Sequence, residues 1–362
     1  MKLPLFISLT AVVATAAPPA PKSTPKFSKP EELMKLMEAS PRLYEIKEEK
    51  NAFTQWAQQN AALAWPQLNP PIPVPRLRPN KDGSFTLENT ERPAEIEKML
   101  DKVEPLFEAK DYEGAEKGYA AILAKYPDDY GIHLDWGDAA LFSGRPEVAL
   151  TRYEKATKLN PADHRCWWFR GNALAALGRK KEAIDSWTRA LAMAPDNTNL
   201  QNGLEVHGPK LGYVFKGRTF LPQARVTPLK EKDKEGYTIT VSSRTHWLIW
   251  GVCKGVWRGE PSYRKSKTGS EADGFNAMEE QECLANLAAM YFGMRKANKN
   301  EADDPMIERL LAVMNEKLLA GFVIYEIASR VQPHVYLLQP PEMQREVEAY
   351  LQKFVLVPAS PE

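Results

Sequence analysis

The sequence predicts a mainly α-helical protein: a solenoid of paired helices, then a mainly helical α+β unit with one small β-hairpin. Three observations carry this. Between residues 96 and 197 the same residue types recur at a fixed interval of 34 positions. Beyond residue 246 apolar residues follow helical spacing through several long segments. Between these two stretches Tyr237, Ile239 and Val241 alternate with threonines, the two-residue period of a half-buried strand.

Taken in chain order, the first element is an export signal. Met1-Lys2 is a short basic start, Leu3 to Val13 is apolar apart from Ser8 and Thr10, and Ala14-Thr15-Ala16 is a small-x-small cleavage pattern. Residues 1–16 are therefore expected to be removed from a periplasmic or secreted bacterial protein; a buried first helix is the alternative. The apolar run is too short to cross roughly 30 Å of hydrocarbon, and no later stretch is long enough.

Residues 17–95 read as a proline-rich arm. Pro18, Pro19, Pro21, Pro25 and Pro30 hold its start extended. Two helices are expected within it, Pro30 to Glu38 and Pro41 to Trp65, the second with Ser40 as N-cap and Pro41 in its first turn. Six prolines from Pro66 to Pro79 end it and form a semi-rigid linker, or a ligand for a proline-reading domain.

The repeating part is specified at many offsets. Pro127, Pro161 and Pro195 are one interval apart, as are Ala115, Ala149 and Ala183, then Tyr119, Tyr153 and Trp187. Ile122, Ala156 and Ala190 follow suit, as do Gly137 with Gly171 and Gly144 with Gly178. The alanines let paired helices approach, the aromatics fill the space to the next unit, the later glycines release the chain from the first helix, and the prolines stop the second. This pattern resembles the tetratricopeptide repeat family, in three units over about 96–129, 130–163 and 164–197. The first unit departs from it: Lys102, Val103 and Lys110 replace a large apolar residue and two glycines, and Pro105 falls inside the expected first helix, which must start late or kink.

A solenoid end needs a cover. Residues 198–212 supply one as a single capping helix ended by Gly208-Pro209, a degenerate fourth repeat being the alternative. In the C-terminal unit, 213–362, Arg225 to Leu229 and Tyr237 to Val241 form the hairpin. Four helices follow: His246 to Arg258, apolar on most sides; Asn276 to Ala297; Pro305 to Val331; and Pro341 to Phe354.

Charge and chemistry narrow the function. Lys plus Arg (48) balances Asp plus Glu (47), so no overall basic field exists for nucleic acid. No H-E-x-x-H, G-x-S-x-G, phosphate loop or dinucleotide fingerprint occurs, and the histidines lack metal-ligand spacing, so no catalytic residue, metal or cofactor is expected. Glu279, Glu280 and Glu282 read as an acidic first helical turn, with a metal or acid-base site as the alternative. Lys254, Arg258, Glu260, Tyr263, Arg264 and Lys265 read as a solvated basic helix end with Glu260 paired to an arginine; an anion or glycan site is the alternative. His246 reads as a helix-start histidine, Cys166 as a small buried residue. Cys253 and Cys283 lie on neighbouring helices and are open to a disulfide.

The resemblance also implies where a partner binds, because such arrays use the concave surface lined by each unit's first helix. Helical spacing puts Glu97, Asp101, Glu104 and Glu108 there in the first unit, Leu134, Asp135, Asp138 and Phe142 in the second, and Arg165, Trp168, Phe169 and Asn172 in the third. The groove would grade from acidic to aromatic, suiting a basic and apolar segment of a protein or peptide. Of the Lys, Arg and Asn residues with which family members clamp a terminal carboxylate, only Arg165 and Asn172 have counterparts here. The function expected is an exported interaction adaptor or scaffold; an envelope enzyme with its active site in the C-terminal unit is the alternative.

Overall fold

The computed structural model describes residues 26–49, 64–65, 67–68, 70–81, 85–89, 91–229, 234–242, 246–298 and 303–359. The signal segment, residues 1–16, lies outside them.

The repeats form as paired helices. The first helix of unit one is interrupted, running as α1 (Ala94–Leu100) and α2 (Glu104–Glu108), with Pro105 in the first turn of the second piece. Then come α3 (Tyr112–Lys125), the pair α4 (Tyr130–Phe142) and α5 (Pro146–Leu159), and the pair α6 (His164–Ala176) and α7 (Lys180–Met193). Asp111, Asp129 and Asp163 cap α3, α4 and α6 by accepting from backbone amides of the first turn. The recurring alanines and aromatics are at the contacts: Ala115, Ala149 and Ala183 are fully buried, as are Tyr119, Tyr153 and Trp187 to within a few per cent. A Cβ on Gly137 would meet the Tyr153 ring at 2.3 Å, and one on Gly171 the Trp187 ring at 2.4 Å.

At the turn inside each unit the backbone is left-handed, with φ of 62° at Lys110, 77° at Gly144 and 72° at Gly178. Lys110 thus adopts the glycine conformation while carrying a Cβ, which costs roughly 1–2 kcal/mol in that region. Glycine relieves this strain but loses more chain entropy on folding. Lys110→Gly is therefore expected to raise stability by about 1 kcal/mol, read as a higher urea midpoint at unchanged slope.

The cap is longer than expected. Helix α8 (Thr198–Leu211) carries Pro209 in its last turn and ends at Gly212, whose φ is 83°. The Gly208 and Pro209 carbonyls close the last turn by accepting from the Gly212 amide. Strand β1 (Tyr213–Phe215) follows and pairs antiparallel with β2 (Leu356–Pro358), so the far end of the chain returns to the cap. Helix α9 (Pro341–Phe354), just before β2, lies along α7, where Arg189 binds Glu348 at 3.0 Å. The solenoid is closed by two helices from distant parts of the sequence.

The N-terminal region differs most from expectation. Helix α10 (Pro30–Glu38) forms, buries Leu33 and packs on the C-terminal unit. Instead of a helix from Pro41, residues Leu43–Glu48 form strand β3, which runs parallel to β4 (Gly236–Val241) from Leu43 opposite Gly236 to Glu48 opposite Val241. Residues 50–63 of the expected helix lie outside the described residues. The strand prevails because β4 offers an open edge, and because Tyr44 stacks on Tyr237 with centroids 6.2 Å apart and donates to Glu260 at 2.7 Å. Further on, β5 (Pro75–Pro79) and β6 (Phe85–Asn89) form an antiparallel hairpin in the proline-rich linker, and Asn160 donates to the Pro75 carbonyl at 3.1 Å.

In the C-terminal unit β7 (Ala224–Pro228) pairs antiparallel with β4, giving a three-stranded sheet in the order β3-β4-β7. Helix α11 (Trp247–Gly259) lies on it. Gly251, Gly255 and Gly259 recur every fourth residue along α11, and a Cβ at the first would meet Ile239 at 2.5 Å. That glycine row brings backbone against sheet. The opposite side carries Trp250 and Trp257, both buried, and Trp257 donates to Glu282 of α12 (Ala277–Ala297). Cys253 and Cys283 join α11 to α12 in a disulfide, with Cα atoms 5.3 Å apart. Between them runs α13 (Pro261–Thr268).

The expected helix Pro305 to Val331 is broken. It runs from Pro305 to Asn315, turns at Lys317 with φ of 60°, resumes at Leu319, and passes through a π-helical turn, Val323–Ala328, before ending at Val331. No helix among the described residues is long and apolar enough to cross a membrane.

Candidate functional site

The first helices of the units bring part of the expected groove together. Asp135 and Asp138 lie one turn apart on α4. Both, with Glu104 from α2, act on the buried Tyr119 hydroxyl, which burial above all, and then these three carboxylates, push above its ordinary range. Asp138 accepts from the Tyr153 hydroxyl at 2.5 Å. Arg92, just ahead of α1, reaches the margin of this acidic cluster, 3.6 Å from Asp135 and 3.8 Å from both Asp129 and Glu97. At those separations it balances three carboxylates loosely.

Burial pushes Asp135 up to about 7, with Asp138 and Asp129 adding to the rise and Arg92 opposing it. Although 37% of its side chain is open along the groove, protein surrounds the carboxyl on its other sides. Burial likewise pushes Asp138 up to about 6, against the Tyr153 hydrogen bond. In the unfolded chain both ionise near 4. As pH rises from about 4 to 7 the unfolded state loses these protons first, so the pair opposes folding increasingly over that window. Asp135→Asn plus Asp138→Asn is expected to match the wild type in stability at pH 4 and exceed it at pH 8, as urea midpoints at both pH values will show.

The aromatic end of the groove is arranged differently from the spacing argument. Trp168 and Phe169 have centroids 5.2 Å apart, and Phe169 also meets Tyr153 at 5.9 Å. Trp168 leans on α8, where a Cβ on Gly203 would touch its indole at 3.3 Å. Phe142 lies at the edge of the solenoid, 65% exposed, with Phe107 at 5.9 Å and Tyr112 at 6.4 Å. The two clamp-type residues serve the fold. Asn172 accepts from the Trp187 indole at 3.0 Å, and Arg165 pairs with buried Asp163 at 2.6 Å. The Asp163 pairing takes precedence because a buried carboxylate needs its counter-charge more than an exposed groove needs a cation.

In the C-terminal unit Glu279 and Glu280 do stand in the first turn of α12 with Glu282 just after, but all three are buried. Lys254, 3% exposed, sits between Glu279 and Glu280, and Glu280 also accepts from the Trp65 indole at 2.9 Å. Burial holds the Glu279 carboxyl above its ordinary value, partly countered by Lys254. Glu282 is fully buried and accepts from Trp257 at 2.6 Å, Tyr263 at 2.8 Å, Lys267 at 3.0 Å and the Ser28 amide at 2.5 Å. The basic helix end is internal only in part: Lys254, Tyr263 and Arg264 are buried, whereas Lys265 is solvated and pairs with Glu271. Arg264 donates to the Trp257 and Arg258 carbonyls that α11 leaves unpaired, while the Glu260 carboxylate accepts from Ser40 and Tyr44 and, among the described residues, pairs with no arginine. His246 is buried against Asp304 at 3.1 Å. Among the described residues no group of three or more His, Cys, Asp or Glu is placed to hold a metal.

Residues 134–198 match the model of the tetratricopeptide repeat family. Those residues form tetratricopeptide repeats. A curated relative, the Protein STIP1 homolog of Dictyostelium discoideum, is 31% identical over 99 residues, 27% of this chain and 18% of the relative's length. The chain thus matches under a fifth of that relative. The first repeat domain of human RPAP3 is similar at 23% identity, covering 31% of this chain and 89% of that one, with a TM-score of 0.30. The Yersinia enterocolitica type III secretion translocator chaperone SycD is similar at 18% identity, over 34% of this chain and 89% of that one, also at 0.30. The Sgt2 repeat domain of Aspergillus fumigatus is similar at 23% identity, over 34% and 82% of the two chains, at 0.31.

Proposed function

We propose that the repeats hold a basic and apolar segment of a protein partner in their concave groove, making the chain an interaction adaptor or scaffold. The observation that carries this reading is the placement of Glu104, Asp135 and Asp138 about Tyr119, with the chain's own Arg92 lodged loosely at their edge. An arginine already drawn to Asp135, and to Asp129 and Glu97 beside it, marks the charge that a partner would bring. Phe169 and Trp168 continue the groove and supply apolar contact.

The proposed address is the bacterial cell envelope, periplasmic or secreted. The apolar stretch before Ala16 supports it, and so does the Cys253–Cys283 pairing, since disulfides persist in oxidising compartments. The rival reading, an envelope enzyme, required Glu279, Glu282, His246 or Arg258 in a cleft. The first three are buried among protein partners, and Arg258 donates to the Val226 carbonyl at 2.5 Å, which favours the adaptor.

The test is photo-crosslinking in the host from a reactive residue placed at Asp101, beside the acidic cluster, with Lys158 on α5 as the control. Capture of one protein from Asp101 and none from Lys158 supports the reading, as does a mature protein beginning near Ala17. Equal capture from both positions would remove the groove from the mechanism.

A further inference from the structure

We propose that the cleft between the end of the repeats and the C-terminal unit is a binding site for a small oxyanion of the phosphate class. The cleft encloses about 380 Å³. Lys216, Arg218 and Arg330 line it, with Asp196 and Glu205 on the repeat side.

The two guanidiniums are short of counter-charge. Arg218, with only 8% of its side chain exposed, donates to Ser329 at 2.9 Å and pairs with Asp196. Asp196 is 68% exposed, so its charge is hydrated and offsets little of a buried cation's desolvation. Arg330 is held by carbonyl oxygens, those of Glu326 at 2.6 Å and Phe220 at 3.5 Å. Among the described residues no carboxylate lies within ion-pair distance of it.

Glu326 does not fill the gap. Its fully buried carboxylate accepts from the Thr219 and Phe220 amides and the Tyr350 hydroxyl, and pairs with Arg309 at 3.3 Å. Burial, and next the neighbouring charge of Arg330, press Arg218 down to about 10. Burial presses Arg330 down as well, with Glu326 and Tyr325 opposing.

The cleft wall therefore carries three cations against two exposed carboxylates. A tetrahedral oxyanion gives planar guanidinium forks the multiple acceptor oxygens that such groups bind well. Its negative charge, between about one and two near neutral pH, also relieves the repulsion between the two arginines. Because the walls come from α8, the segment after β1 and the helix ending at Val331, an anion there would tie the repeats to the C-terminal unit.

Titration calorimetry and thermal unfolding of the full chain with inorganic phosphate, against sodium chloride at matched ionic strength, test this. Saturable heat and a rising Tm with phosphate alone are expected, with Arg330→Gln weakening binding about tenfold and Lys216→Gln about threefold. Equal responses of the wild type to phosphate and chloride would overturn the proposal, as would wild-type affinity in folded Arg330→Gln. Should Arg330→Gln not fold, Lys216→Gln on the exposed rim decides, and unchanged affinity there overturns the site.

Discussion

Glu282→Ala is expected to cost about 3–5 kcal/mol, the range for removing one partner from a buried charged network. Four donors converge on this carboxylate from three places in the chain: Trp257 at the end of α11, Tyr263 and Lys267 on α13, and the Ser28 amide ahead of α10. Alanine leaves the Lys267 charge unpaired and strands two aromatic donors in the interior, each with its own desolvation penalty. It also releases the segment before α10, which Glu282 holds together with Asn286, whose amide donates to the Ser28 carbonyl at 3.0 Å. The comparison is Glu271→Ala, which removes an exposed pair with Lys265 and should change stability by about 1 kcal/mol or less. Urea midpoints of the two variants give the answer, and near-equal midpoints would show that Glu282 is not the junction described.

Asp135→Asn plus Asp138→Asn is expected to weaken capture of a basic segment about tenfold or more at pH 8, while the protein stays folded. The asparagine side chain is nearly isosteric with aspartate, and its carbonyl oxygen still accepts from the Tyr153 hydroxyl that binds Asp138. What disappears is two negative charges in a walled groove, where the effective dielectric is lower than in water and a pair of opposite charges counts for more. Association should slow, and the gap to wild type should narrow with added salt, because at 0.1 M salt screens charges more than about 10 Å apart, the range over which the approaching segment is steered. A loss that persists undiminished at high salt would assign the effect to packing instead.

The repeats were legible because every unit needs the same small, aromatic and left-handed positions, so sequence and contact share one period. Even Lys110, the residue out of pattern, takes the backbone conformation of Gly144 and Gly178. The β4–β7 hairpin was legible too, because its pairing is local. Strand β3 was not: its partner lies some 190 residues away, and Ser40-Pro41 is a sound helix start that only the edge of β4 overrides. Glu279, Glu280 and Glu282 had the signature of an acidic first turn, and nothing local announces that Lys254, Trp257 and Tyr263 will meet them in the interior. The row Gly251, Gly255, Gly259 was a signal available but unread, since glycine every fourth residue on an apolar helix marks close approach of backbone. In the groove, sequence could place Asp135 and Asp138 on one face. It could not foresee that Asn172 and Arg165 would spend their hydrogen bonds on Trp187 and Asp163.

The measurement that tests the account most directly is the affinity of the crosslinked partner segment at pH 5 and pH 8, for the wild type and for Asp135→Asn plus Asp138→Asn. At pH 5 both groove carboxyls are largely protonated, since burial holds them near 7 and 6; at pH 8 both are charged. The account predicts tighter binding at pH 8 by the wild type and no such gain in the double variant. Equal affinity in all four conditions, with the variant folded, would contradict an acidic concave groove as the partner site.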